Sequence, residues 1–265
     1  MDIIIKHKEK RKMKKPHLMH ESAYKKIRKN GGKIWGDKDG SNDSGIDIDP
    51  VQKIFIEEIL SKKWSPDNGV ALELGCGTGQ IIRWFTNSSD FEGIGIDVSP
   101  TAIKMAKEQS KRTGLKFFNV DFLNQDILEK KSINIVIDGH CLHCVTLVED
   151  RRKFMANAYS VLKPGGIFLV STMCSPIFRG SMKKRFPKSK YMDRTHYHIF
   201  ENGMEYEGYL NIDGKTYVPS RYFDHWKNIL TDLKKAGFEI RAFKYSAAIH
   251  GEDLNSGLEV AAYKC

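Results

Sequence analysis

The 265-residue chain contains no apolar run approaching the roughly 18 residues that cross a bilayer as a helix. Its N-terminus offers only Ile3-Ile4-Ile5 as an apolar stretch, too short for the hydrophobic region of a secretory signal. The expectation is a cytoplasmic protein without a membrane span. The five cysteines (Cys76, Cys141, Cys144, Cys174, Cys265) are an odd number with no framework spacing. That excludes a disulfide-stapled scaffold and predicts reduced thiols. No internal repeat is present, which excludes a solenoid or propeller. What remains is a chain whose apolar residues, 40% of the total, can fill one large domain, or one domain with an inserted cap.

Charge of one sign is in excess, but it is concentrated. The net charge is +10, and residues 1–15 hold seven Lys/Arg against two acids. Residues 179–194 hold seven Lys/Arg against one acid. Two basic segments therefore sit on a nearly neutral body. A basic tail of this kind predicts a solvated, poorly ordered arm over residues 1–20. An anionic partner such as nucleic acid is the functional alternative.

Residues 37–50 are rich in Asp, Gly and Ser and read as a loop. Asp49-Pro50 and Ser99-Pro100 each place a capping side chain before a proline, the signature of a helix start. From Val70 the pattern alternates. Short apolar runs at Val70–Leu74, Gly93–Asp97, Phe117–Asp121, Ile133–Asp138 and Ile167–Ser171 read as strands, separated by helical periodicity. Lys163-Pro164-Gly165-Gly166 reads as the turn before the fifth strand. Such alternation implies parallel strands joined by right-handed crossovers, an open doubly wound α/β sheet. Residues 172–222 interrupt it with aromatic and basic residues and a hairpin signal at Asp213-Gly214. A last helix near Trp226–Leu233 and two closing strands follow.

The first strand runs into Gly75-Cys76-Gly77-Thr78-Gly79. Glycines there permit positive φ and close approach of a ligand at the carboxyl end of the sheet. The dinucleotide fingerprint needs a third glycine where this chain has Gln80. Asp97, which ends the second strand, suits the ribose of either a dinucleotide or another nucleoside.

Five segments, in order, resemble the motifs of class I S-adenosyl-L-methionine (SAM)-dependent methyltransferases, especially their small-molecule branch of the type 11/12 kind. They are Leu72–Gly79, Gly95–Pro100, Asn119–Phe122, Ile135–His140 and Leu162–Leu169. The resemblance covers residues 50–172 and the C-terminal helix and strands. It implies a mostly parallel seven-stranded, Rossmann-like sheet over residues 50–265, with residues 172–222 as an inserted substrate cap and residues 1–49 as an arm and lid. It implies SAM as cofactor, with S-adenosyl-L-homocysteine (SAH) as product. Residue by residue, Glu73 steadies the loop, and Gly75, Cys76 and Gly77 line the methionine part. Asp97 takes the ribose, Val98 packs on adenine, and Asp121 and the Phe122 amide read the adenine edge. Asp138, Gly139 and His140 border the methyl exit. Gln80 is also expected at the cofactor, and Trp35, with Tyr24, over the sulfonium, where a π face suits a cation.

A sulfonium methyl is already activated, so transfer mainly needs the acceptor held close with water excluded. A general base is required only if the nucleophile must lose a proton, and His140 and His143 are the candidates. The cluster His140-Cys141-Leu142-His143-Cys144 lacks the separated pairs usual for zinc, so no metal is expected. The acceptor is expected to be a small molecule, anionic or aromatic, recruited by the insert with Lys183, Lys184 and Arg185. The alternatives are an RNA or protein methyltransferase using the basic segments, or a SAM-binding protein without catalysis. The fourth motif lacks the Asn/Asp-Pro-Pro-aromatic sequence of enzymes that methylate planar nitrogens, and no RNA-binding module is recognisable.

Overall fold

A computed structural model describes residues 13–37, 48–110, 113–124, 129–177, 189–199, 206–247 and 255–265. The first twelve residues and Lys183, Lys184 and Arg185 lie outside the described residues.

Strand β1 (Asn68–Leu74) is the centre from which the sheet grows. It pairs in parallel with β2 (Asp90–Asp97) on one side and β4 (Ile133–Gly139) on the other. Strand β3 (Leu115–Asn119) extends the first side, and β5 (Leu162–Ile177) the second. Beyond β5 lies the last strand, β11 (Asn255–Tyr263), antiparallel to β5 and to β10 (Glu239–Ser246) at the edge. The order is β10-β11-β5-β4-β1-β2-β3, seven strands. The chain turns in opposite directions from β1 and β4, which puts the topological switch point at the carboxyl end of β1.

Each strand feeds two cores, because successive side chains point to opposite faces. Leu72, Leu74, Val136, Phe168 and Val170 pack against α5 (Val148–Val161) and α6 (Trp226–Lys235). Ala71, Ile135, Ile137, Ile167 and Leu169 pack against α2 (Pro50–Leu60) and α3 (Gln80–Asn87). Helix α4 (Pro100–Gln109) adds Ile103 and Ala106 to the second cluster. The two cap-plus-proline signals open α2 and α4: Asp49 accepts from the Val51 amide at 2.7 Å, and Ser99 from the Ala102 amide at 3.0 Å.

Three expectations are corrected. Residues 163–166 are not a free turn. Strand β5 starts at Leu162, and the C-terminal backbone pairs with it, Gly165 N donating to Lys264 O at 2.7 Å. The arm is packed from residue 13 onward: Lys14 bridges Tyr206, and Lys15 forms ion pairs of 3.0 Å with both Asp150 and Glu207. Composition could not reveal this, because the acids that receive Lys15 lie far along the chain. The insert is more than one hairpin. Strands β6 (Ser189–Met192), β7 (Thr195–Ile199), β8 (Leu210–Ile212) and β9 (Lys215–Tyr222) form a separate antiparallel sheet of order β6-β7-β9-β8. Its β8–β9 turn is the expected Asp213-Gly214, with φ of 50° and 70°.

The Phe168 ring is fully buried, 6.3 Å from Phe154 and 5.7 Å from Phe238 between centroids. Phe168→Ala is expected to cost about 3–5 kcal/mol, read as a lowered urea midpoint.

Candidate active site

The carboxyl ends of β1 to β4 open into a cavity of about 340 Å³, within the roughly 300–1,000 Å³ usual for small-molecule sites. Its floor is the glycine loop. Gly75, Gly77 and Gly79 all take positive φ, at 63°, 54° and 76°. A Cβ at Gly77 would strike the Tyr24 hydroxyl, and one at Gly79 the Phe117 ring at 2.5 Å. Glycine is required there twice, by conformation and by space.

Buried carboxyl groups brace the loop. Glu73 accepts from the Ile82 amide at 3.0 Å at the start of α3. Asp97 accepts from the Gly77 amide at 2.9 Å with one oxygen and from the Ser99 amide at 2.7 Å with the other. A carboxylate has about four acceptor positions, so Asp97 keeps capacity for hydroxyl groups in the cavity. Asp138 accepts from the Cys141 amide at 2.7 Å and the Leu142 amide at 3.1 Å. Its side chain thus holds the turn Leu142–Cys144 from below and does not reach the cavity wall. Burial raises all three groups: Glu73 to about 8, Asp97 to about 6 and Asp138 to about 7.

The other residues expected at the cofactor all line the cavity: Trp35, Glu73, Gly75, Cys76, Gly77, Gln80, Asp97, Val98, Asp121, Phe122, Gly139 and His140. His143 lines it as well. The N-terminal segment forms the opposite wall. Helix α1 (His20–Lys29) is pinned by Glu21, which accepts from the Ser99 hydroxyl at 2.6 Å and the Thr101 hydroxyl at 2.7 Å. Tyr24 and Trp35 meet with centroids 5.2 Å apart. His17 reaches Asp121 at 3.2 Å. Burial opposes the Asp121 charge, but the His17 contact and the Leu123 amide outweigh it and lower its pKa.

His140 sits at the end of β4 with a φ of 68°, rare for a side chain other than glycine. Its Nε2 lies 3.4 Å from the Ser171 hydroxyl, which donates to Glu259 at 2.8 Å, and 3.9 Å from the Asp49 carboxylate. Its Nδ1 is buried without a hydrogen-bond partner among the described residues. His143 Nδ1 lies 3.3 Å from the Thr172 hydroxyl and 3.4 Å from the Met173 amide nitrogen, and its ring stacks on Phe223 with planes 9° apart. Burial lowers the pKa of both rings, so both are neutral at pH 7.

His17, His20, Asp49, Gln52, Met173 and Arg221 also line the cavity and were not expected there. Met173 and Arg221, near the two ends of residues 172–222, are that segment's contribution; its aromatic residues His196, Tyr197, His198, Tyr206, Tyr209, Tyr217 and Tyr222 do not line the cavity. No motif marks Arg221. Its alternation along β9 would have placed it on one face of a strand, but not that face over this cavity.

The donor set fits a nucleoside that carries a cationic centre: carboxylates at the ends of β2 and β3, and aromatic faces above a glycine floor. Comparison with known proteins agrees. Residues 65–236 match a methyltransferase domain family. The chain is 31% identical over 143 residues to a ubiquinone biosynthesis O-methyltransferase of Rickettsia canadensis, covering 52% of this chain and 58% of that protein. It is 28% identical over 155 residues to a carboxy-S-adenosyl-L-methionine synthase of Campylobacter hominis, covering 57% and 59%. The chain thus spans less than two thirds of these relatives' length. A SAM-dependent methyltransferase from Methanosarcina mazei superposes with a TM-score of 0.59 at 18% identity, over 83% of this chain and 99% of that one. The chain belongs to the class I SAM-dependent methyltransferases. No helix among the described residues is long and apolar enough to cross a membrane.

Two outcomes follow from the buried carboxyl groups and the pinned helix. A carboxyl group raised in the folded state holds a proton that the unfolded chain has released, so stability falls as pH rises between the two values. The urea midpoint should therefore decline between pH 4.5 and about 8, the window of Glu73, and Glu73→Gln should flatten that decline. Glu21→Ala removes the tie between α1 and α4; SAH affinity measured by calorimetry should fall while the urea midpoint changes little.

Proposed function

We propose that this chain is a cytoplasmic SAM-dependent methyltransferase for a small, anionic acceptor, which Arg221 holds from the cap. The observation that carries the acceptor class is Arg221 itself. Its Nη1 donates to His20 Nε2 at 3.1 Å and to the Ser220 carbonyl at 2.7 Å, and the guanidinium lies 5.9 Å from the Trp35 ring centroid. Among the described residues it forms no ion pair with a carboxylate. A guanidinium on a cavity wall with neutral neighbours favours an anionic ligand, and its planar fork matches a carboxylate or phosphate.

SAM supplies a methyl group already activated on a sulfonium sulfur. In the assignment we propose, Asp97 takes the ribose hydroxyls, and Asp121 with the Phe122 amide takes the adenine edge. Gly75, Cys76 and Gly77 let the methionine part approach the backbone. Trp35 and Tyr24 cover the site and exclude water, which strengthens every charge interaction inside it. Residues 13–37 act as a lid anchored through Glu21.

The test uses 4-hydroxybenzoate and its neutral amide as probes of the SAH-loaded protein. Arg221→Gln should weaken 4-hydroxybenzoate binding by about 10–100-fold, the value of one charge-assisted hydrogen bond, and leave binding of the amide and of SAH unchanged. A loss of SAH affinity instead would assign Arg221 to the cofactor's own carboxylate and overturn the proposal.

A further inference from the structure

A cation that does not line the cavity stands behind its acceptor side. Arg151, near the start of α5, is only 3% exposed. Its Nη1 donates to the Leu142 carbonyl at 2.7 Å and to the Val145 carbonyl at 3.4 Å. Those carbonyls bracket the single 3-10 turn Leu142–Cys144, and His143, Cys144 and Val145 from this stretch line the cavity. The same guanidinium lies 5.0 Å from the ring centroid of Tyr222, the last residue of β9. Both chain neighbours of Tyr222 reach the acceptor side. Arg221 lines the cavity, and Phe223 stacks on His143 with centroids 6.4 Å apart. Arg151 therefore stands where the turn and the cap strand meet.

Among the described residues Arg151 forms no ion pair with a carboxylate. Asp224, the first of the acids that act on it, is held instead by Arg194 at 2.7 Å and by the His225 amide at 2.7 Å. A buried cation is costly unless its hydrogens are taken, and an apolar side chain would fill the space without that cost. What the guanidinium supplies is a tie between two segments. Its N–H groups hold the turn, and its charge sits over a ring from the cap. The cofactor side is held by other bonds: Glu73 to the Ile82 amide, Asp97 to the Gly77 amide, and Glu21 to the Ser99 hydroxyl.

We propose that Arg151 is the positioning residue of the acceptor site. It fixes the turn that carries His143 against the strand that carries Arg221, and it acts on acceptor binding without lining the cavity. This rests on the proposed acceptor site and names what holds its two halves together.

The first test measures binding to the full chain, with SAH and 4-hydroxybenzoate as probes. Arg151→Met should weaken 4-hydroxybenzoate binding to the SAH-loaded protein by about 10-fold, the value of one hydrogen bond from a charged donor, and leave SAH affinity unchanged. An unchanged acceptor affinity, or an equal loss for both ligands, would overturn the proposal. Tyr222→Leu should weaken 4-hydroxybenzoate binding by about 5-fold, and Tyr222→Phe, which keeps the ring, should restore it. Equal losses in the two Tyr222 variants would overturn it even if Arg151→Met failed to fold. The double variant Arg151→Met with Tyr222→Leu should bind no more weakly than Arg151→Met alone. A loss equal to the product of the two single losses would show that the residues act separately, and the tie would not exist.

A second test needs no acceptor. Cys144 closes the turn, its amide donating to the Cys141 carbonyl at 2.8 Å, whereas Cys76 belongs to the glycine loop. In Arg151→Met, alkylation of Cys144 by iodoacetamide, followed by peptide mass spectrometry, should speed up by about 10-fold as the turn opens locally, with Cys76 unchanged. Acceleration of both thiols together, or of neither, would overturn the proposal. Failure of the anionic-acceptor reading is seen separately: Arg221→Gln then leaves 4-hydroxybenzoate binding unchanged or loses SAH affinity, while Arg151→Met still frees Cys144.

Discussion

One buried carboxylate ties the site together. Asp97 ends β2, and its two oxygens accept from Gly77 in the loop after β1 and from Ser99 at the cap of α4. The Ser99 hydroxyl in turn caps α4 and donates to Glu21 of α1. Loop, strand end, helix cap and N-terminal wall are thus linked through four side-chain hydrogen bonds in a row. An unmade hydrogen bond at a buried group is costly, so these elements hold one another's positions. Burial raises Asp97 to about 6, which means that the arrangement confines charge for the sake of the site. Glu73 and Asp138 repeat the pattern at the ends of β1 and β4.

The opposite wall is built on different principles. It is assembled from two segments far apart in sequence, α1 with the nearby Trp35, and β9, which brings Arg221. Arg221 and the histidines face the carboxyl-braced glycine floor. The cavity thus sets buried carboxyl groups at the strand ends against a guanidinium on the facing wall.

The sheet could be read in advance because both of its signals are local. Apolar runs such as Ile133–Asp138 and cap-plus-proline pairs such as Ser99-Pro100 depend on neighbours within a few residues. The glycine loop was legible for the same reason. Asp138 was legible as a motif residue but not in its role: whether its carboxylate reaches the cavity or turns under the backbone depends on the path of residues 139–144. The packed residues 13–20 looked like a disordered arm because Lys15 finds its acids at Asp150 and Glu207, which no local pattern connects to it.

By itself, the sequence determined the doubly wound sheet and the glycine floor, since both follow from periodicity and spacing along the chain, and its five ordered motifs carried the resemblance to the family. The tertiary structure alone decided that Arg221 stands over the cavity, that Glu259 lies behind His140 through Ser171, and that Thr172 and Met173 meet the His143 ring. Those contacts join residues 29 to 201 positions apart. The orientation of a hydrogen bond between them is set by packing in three dimensions, which no reading along one dimension supplies.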